Sequence, residues 1–191
     1  NAFVTADLVT YRIIAQQWGK PAEVRAWLAS PEARLLSPRY RLDWPNRGYD
    51  RRQGELMPRA AFLGRLVKAF ADADIPLVAG TDTPTIPGLF IGTSLHQNLA
   101  LLEAAGLTRY QALATVTRNA GLFIARARPG ETPFGTIAPG ARADLVLTRA
   151  NPLDDLATLR QPLGAMAHGV WRDRATLDAL VAPIADRYAA R

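Results

Sequence analysis

Leu77-Val78-Ala79-Gly80-Thr81-Asp82 sets the architecture. Its short apolar run shows no alternation, so it reads as a strand buried on both faces, the habit of parallel sheets. Before it, from Arg59 to Ala73, the residues Phe62, Leu63, Leu66, Val67 and Phe70 recur at three- and four-residue spacing. That is the period of an amphipathic helix packed on one face. Ile75-Pro76 breaks it, because proline lacks an amide proton and disfavours helical backbone in the residue before it. Helix, tight connection and parallel strand make one α/β unit.

Working outward, Ala2 to Tyr11 is rich in β-branched and aromatic residues and reads as one further buried strand. From Lys20 to Gly54, Pro21, Pro31, Pro38 and Pro45 alternate with Trp18, Trp27 and Trp44 at its edges and within it. This predicts an excursion of short helices and ordered loops, with a helix opening at Pro21. After Asp82 comes a loop with Pro84, Pro87, Gly88 and Gly92. Leu95, Leu99 and Leu102 then mark a helix that Gly106 ends. Thr108-x-x-Gln111 has the form of a capping box opening a third helix that runs to about Asn119. Near Gly130 the character changes. Thr136 to Gly140 reads as a strand and turn, Ala143 to Leu147 as a second strand, and Ala165 to Trp171 as a third with a turn inside it. Leu177 to Tyr188 closes as an amphipathic helix.

With 49% hydrophobic and 21% charged residues, 191 residues suffice for a full core, which argues against disorder. The apolar runs are far shorter than the roughly 20 residues of a membrane span. A formal charge of +6 raises nucleic acid as a partner, but the basic residues are scattered among acidic ones and are almost all Arg. That bias reads as genome composition, and no nucleic acid and no membrane are expected as partners. Cysteine is absent, which excludes disulfides, thiolate nucleophiles and Cys-ligated metals within the chain.

Asp82 stands directly after the parallel strand, and the carboxyl ends of such strands are where catalytic groups gather. Gly80 lets the backbone approach closely and Thr81 offers a hydrogen bond. Asp also favours turns and caps, so the tripeptide by itself is ambiguous. The surroundings sharpen it. Ala79-Gly80-Thr81-Asp82-Thr83, Gly92-Thr93-Ser94-Leu95-His96, Leu102 to Thr108, Ala112 to Ala120 and Gly135 to Leu147 follow one another in order. Together these motifs, covering roughly residues 77 to 172, make the chain resemble the amidohydrolase superfamily, in its imidazolonepropionase-like and prolidase-like branch.

The resemblance implies an α/β fold, the C-terminal part of a TIM-like (β/α)8 barrel plus part of a small flanking β-sandwich. Residues 1–128 would be barrel, 129–175 sandwich and 176–191 the C-terminal helix, with Ala2 to Tyr11 the seventh strand and Leu77 to Gly80 the eighth. It also implies a hydrolase of amide C–N bonds in cyclic amides or dipeptide-like substrates, using one or two divalent metals, Zn foremost. Asp82 matches the family's aspartate after the last strand. A carboxylate there ligates the metal, takes the proton of the attacking water and hands it to the leaving amine. The family's His-x-His pair, bridging Lys or carboxylate and later histidines have no match here. The expected partners are therefore the N-terminal part of the same protein and a small-molecule substrate, with a homo-oligomer open. On that view the chain is the C-terminal part of a longer polypeptide and inactive alone. The alternative is a non-catalytic amidohydrolase-fold protein or subunit that has lost its metal site.

Of the remaining candidates, His96 lies on the first turn of the helix after the Asp82 loop and is either a substrate contact or a structural helix-start histidine. Asn98 stands where the branch commonly has Glu. His168, before Gly169, reads as a structural turn residue, Asp144 as a turn cap or sandwich tether, and Asn119 as a helix C-cap. Trp18, Trp27, Trp44, Tyr40 and Tyr49 either line a substrate pocket or anchor loops. Ser94 has no His and Asp partners at recognisable positions, which argues against a serine hydrolase.

Overall fold

Asp7 splits the amino-terminal segment, so the single strand expected from Ala2 to Tyr11 does not form. In the structure, a computed structural model describing residues 2–189, Val4–Ala6 is strand β1 and Leu8–Gln17 is helix α1. The Asp7 carboxylate accepts from the Thr10 amide at 3.2 Å. The buried Asn98 side chain, 90 residues from Leu8, accepts from the Leu8 and Val9 amides at 2.9 and 3.0 Å. Helix-start amides thus find partners, and this outweighs the weak strand preference of β-branched residues.

The excursion follows, with α2 (Pro21–Leu28), a 3-10 turn at Pro31–Leu35, α3 (Pro38–Asp43) and further 3-10 turns at Trp44–Asn46 and Tyr49–Arg51. Prolines occupy the first turn of α2 and α3, where their missing donor costs nothing. Helix α4 (Met57–Asp72) then leads to strand β2 (Leu77–Ala79). β2 lies parallel to β1, with Val4 opposite Leu77, Thr5 opposite Val78 and Ala6 opposite Ala79. One face of this pair turns Ala6 and Leu77 into a core with Leu8, Val67, Leu99 and Leu102.

Helix α5 (Thr93–Ala104) ends where Gly106 adopts φ +102, and both halves of the Thr108–Gln111 capping box form at the start of α6 (Arg109–Val116). The helix does not run on to Asn119. It breaks at Thr117, and α7 (Arg118–Ala127) starts afresh. The Thr115 and Thr117 hydroxyls bond back to the carbonyls of Ala112 and Leu113 at 2.6 and 2.8 Å, which competes with helix continuation in this β-branched run.

Beyond α7, Thr136 to Gly140 is not a strand. It carries a turn, the Ala141 amide bonding to the Ala138 carbonyl at 3.1 Å, and no strand among the described residues pairs with it. Strands β3 (Leu145–Leu147), β4 (Gly164–Ala167) and β5 (Val170–Asp173) form an antiparallel sheet in that order. The two-residue hairpin between β4 and β5 has His168 at φ +50 and Gly169 at φ +78, the left-handed pair whose twist suits such turns. α8 (Arg174–Ala189) contains Pro183, and Leu180, Val181 and Ile184 are 56, 45 and 37% exposed. The apolar stripe expected of an amphipathic helix is not buried among the described residues. No helix of the described residues is long and apolar enough to cross a membrane.

Candidate active site at the carboxyl end of the parallel sheet

Side chains alternate along a strand, so Thr5 and Val78 point away from the core, and Asp7 and Gly80 continue that face. A Cβ built on Gly80 would lie 3.0 Å from Thr5 Cγ2 and 3.6 Å from Asp7 Cβ. Gly80 therefore permits the close strand approach that brings Asp7 beside the segment leading to Asp82. Asp82 itself is exposed and adopts φ +48, an uncommon conformation for a residue with a side chain. Its carbonyl accepts from the Thr85 amide at 3.0 Å and from the Thr85 hydroxyl at 2.6 Å. Among the described residues no hydrogen bond or ion pair forms to its carboxylate oxygens, which leaves them open to a cation or a water proton.

Asp7 is a second carboxylate at the same end of the sheet. Burial raises its pKa above the usual carboxylate value, the hydrogen bonds from Thr10 act the other way, and the Asp82 charge adds to the rise. Thr10, itself buried, brings its hydroxyl 2.8 Å from Asp7 Oδ2 and 3.2 Å from the Thr81 carbonyl. Neither residue stands out in the sequence. The one signal there is Thr5-Ala6-Asp7, a carboxylate just past a strand, in the manner of Gly80-Thr81-Asp82.

The loop after Asp82 is held from below. Trp44 is 1% exposed, packs edge-to-face on Phe90 with ring centres 5.1 Å apart, and donates Nε1–H to the Pro84 carbonyl at 2.9 Å. The Trp27 ring leaves no room for a side chain at Gly88, whose added Cβ would sit 2.7 Å away. Trp18 tilts against Tyr49 and donates to the Gln53 carbonyl at 2.8 Å, and Tyr40 packs against the Trp44 cluster. These aromatics anchor loops. Ser94 Oγ is buried and accepts from the Phe90 amide at 2.9 Å, closing the loop onto α5.

His96 lies half-buried in the first turn of α5, with Nδ1 buried and without a partner among the described residues. Burial and the Arg160 guanidinium hold its pKa below that of an ordinary histidine. Asn98, two residues on, is fully buried and donates to the Ala6 carbonyl at 2.8 Å in addition to its two acceptances on α1. Asn119 is not a C-cap, because the helix has already ended. It sits in the first turn of α7 and donates to the Leu77 carbonyl at 2.9 Å. Asp144 caps the β4–β5 hairpin through the His168 amide at 2.8 Å and pairs with Arg142 at 2.6 Å. The His168 amide and the Arg142 side chain both hold its pKa below the usual value.

A cleft of about 720 Å³ lies elsewhere, lined by Pro76, Leu77, Tyr110, Asn119 and Leu122 among others and by nothing from 79 to 82. It opens at the amino end of β2, away from both carboxylates. Among the described residues no group of three or more His, Cys, Asp and Glu could hold a metal ion.

The amidohydrolase family profile matches residues 7–179, and the chain belongs to the amidohydrolase family. No curated protein matches it in sequence. Among solved structures it is similar to bottromycin amidohydrolase, at 26% identity and a TM-score of 0.72 over 98% of this chain and 40% of that one. It shares its fold with a prolidase complexed with N-methylphosphonate-L-proline, at 21% identity and a TM-score of 0.55 over 91% of this chain and 35% of that one. The same holds for A. niger ochratoxinase, at 22% identity and a TM-score of 0.51 over 63% of this chain and 26% of that one. The chain spans less than half the length of these relatives.

Proposed function

We propose that this chain is the C-terminal part of a metal-dependent hydrolase that cleaves C–N bonds in cyclic amides or dipeptide-like substrates. The observation that carries the reading is Asp82, a carboxylate with no donor of its own among the described residues, held past a parallel strand in a chain of the amidohydrolase family. In this reading β1 and β2 are the last two strands of a (β/α)8 barrel, and β3 to β5 belong to a flanking sandwich. The chain covers 40% of bottromycin amidohydrolase, and in this reading the remaining ligands lie in an upstream segment of the same protein.

Asp82 would ligate one divalent metal, with Zn the first choice, the other ligands lying outside this chain. When bound, the metal polarises the substrate carbonyl and makes water acidic enough to react near neutral pH. Asp82 receives the proton of the attacking water and delivers it to the leaving amine nitrogen, which restores the carboxylate. His96 enters as a substrate contact, and His96→Ala is expected to raise KM more than it lowers kcat.

The test uses the full polypeptide with a panel of proline-ending dipeptides and cyclic amides. Elemental analysis should find about one or two divalent metals per chain, and Asp82→Asn should abolish turnover while leaving the melting temperature unchanged. A full polypeptide without metal would support the non-catalytic alternative and overturn the enzyme.

A further inference from the structure

Two clamps hold Asp82 in its left-handed conformation, and only one of them is local. Downstream, Thr85 bonds the Asp82 carbonyl twice. Upstream, the Thr81 carbonyl meets the Thr10 hydroxyl, which comes from α1, 71 residues away in sequence. A residue with φ near +48 carries a conformational penalty and persists only where its surroundings over-determine it. The carbonyl of the preceding residue belongs to the peptide plane that sets this φ, so whatever holds that carbonyl aims the Asp82 side chain.

Thr10 is in turn fixed. Its amide bonds Asp7 Oδ1 at 3.2 Å and its hydroxyl lies 2.8 Å from Asp7 Oδ2, so the carboxylate grips the residue at two points. The residue is 4% exposed and its threonine χ1 is restricted by branching, which leaves the hydroxyl little freedom to turn away. α1 is itself tied to α5 by Asn98.

We propose that Asp7 and Thr10 are positioning residues for Asp82: the single Thr10 hydroxyl proton is shared in a three-centre bond between Asp7 Oδ2 at 2.8 Å and the Thr81 carbonyl at 3.2 Å, Asp7 keeping the hydroxyl in place and the hydroxyl fixing the Thr81–Asp82 peptide so that the Asp82 carboxylate faces the reacting atoms. The inference rests on the reading of Asp82 given above. Neither residue need touch substrate, so their loss should appear in kcat and not in KM.

The experiment measures kcat, KM, metal content and melting temperature for the full polypeptide, using whichever dipeptide or cyclic amide of the panel the wild type cleaves. Thr10→Val, nearly the same shape without the hydroxyl, should lower kcat about tenfold, equivalent to about 1.4 kcal/mol in the activation barrier, with KM within about twofold at a temperature where both proteins are folded. Thr10→Ser, which keeps the hydroxyl, should recover most of that loss. Asp7→Ala should lower kcat less than Thr10→Val, because the hydroxyl loses its anchor but its proton is then free for the Thr81 carbonyl, and the double variant should be little worse than Thr10→Val alone, because Asp7 acts through Thr10. Thr10→Val with wild-type kcat, Thr10→Ser as impaired as Thr10→Val, or multiplying effects in the double variant would each overturn the proposal. If Asp82→Asn itself retains turnover, the role of Asp82 fails and this inference with it. If Asp82→Asn is dead and Thr10→Val is normal, this inference fails alone.

Discussion

Asn98→Leu removes three buried hydrogen bonds while keeping the number of side-chain heavy atoms. The Asn98 side chain is fully buried, accepting from Leu8 and Val9 at 2.9 and 3.0 Å and donating to Ala6 at 2.8 Å. Leucine would leave two amides and one carbonyl without these partners. Each buried group so stranded costs about 1–3 kcal/mol. Local relaxation and entry of water return part of that, so the expected loss is about 3–5 kcal/mol. For a chain of this size that corresponds to a fall in Tm of roughly 6–20 °C. Asn98→Asp separates the acceptor role from the donor role. The introduced carboxyl can still accept from both amides, at a helix start that favours negative charge, but it can face the Ala6 carbonyl only when protonated. Its pKa should therefore be raised in the folded state, so its stability is greatest at low pH and declines as pH rises through the folded pKa. Thermal unfolding followed by circular dichroism at about pH 5 and about pH 8 reads both effects, because a buried carboxyl with a raised pKa loses its proton between them. An Asn98→Leu protein within about 0.5 kcal/mol of wild type, the scatter of an ordinary surface change, would refute the reasoning.

Two glycines give a sharper steric test. A Cβ on Gly135, at φ +87, would lie 2.3 Å from the Thr117 carbonyl oxygen, so Gly135→Ala should cost at least about 2–3 kcal/mol in urea unfolding. Gly140→Ala, at φ +80 with open space around it, should cost only the left-handed penalty of about 1–2 kcal/mol, and equal losses would count against the close contact. Asp144 supplies a pH dependence. Its folded pKa is lowered from the ordinary 3.8 by the His168 amide and Arg142, so its stabilisation is present above that value and lost as pH falls through the folded pKa. Asp144→Asn should therefore melt lower than wild type near neutral pH, and the difference should close in acid. A gap that widens in acid would contradict the assignment.

The periodic elements were readable because each follows from a local rule. The helix ending at Ile75-Pro76, the Thr108–Gln111 capping box and the antiparallel hairpin at His168-Gly169 depend on residues within a few positions of one another. What could not be read depends on distant partners. Helix α1 exists in place of a longer strand because Asn98 reaches it from 90 residues away. The break at Thr117 is matched by the close backbone of Phe134 and Gly135 against α7, a contact invisible to periodicity. The segment from Thr136 to Gly140 has strand-like residues, but a strand needs a neighbour and the described residues offer it none.

The candidate site divides along the same line. Asp82 is visible in sequence because it belongs to an ordered run of motifs, whereas Asp7 has no motif of its own. Its significance comes from register: once Ala6 lies opposite Ala79, Asp7 must lie beside Gly80, and Gly80 has no side chain to keep it away. The same pairing brings α1 over the Thr81 carbonyl and so gives Thr10 access to the peptide that orients Asp82. Asn98 then acquires a physical meaning. A carboxylate could accept from the two α1 amides but, when ionised, could not also donate to Ala6, whereas the amide does both and holds strand and helix together. Asn98 thus ties α1 to β1, the strand whose end carries Asp7.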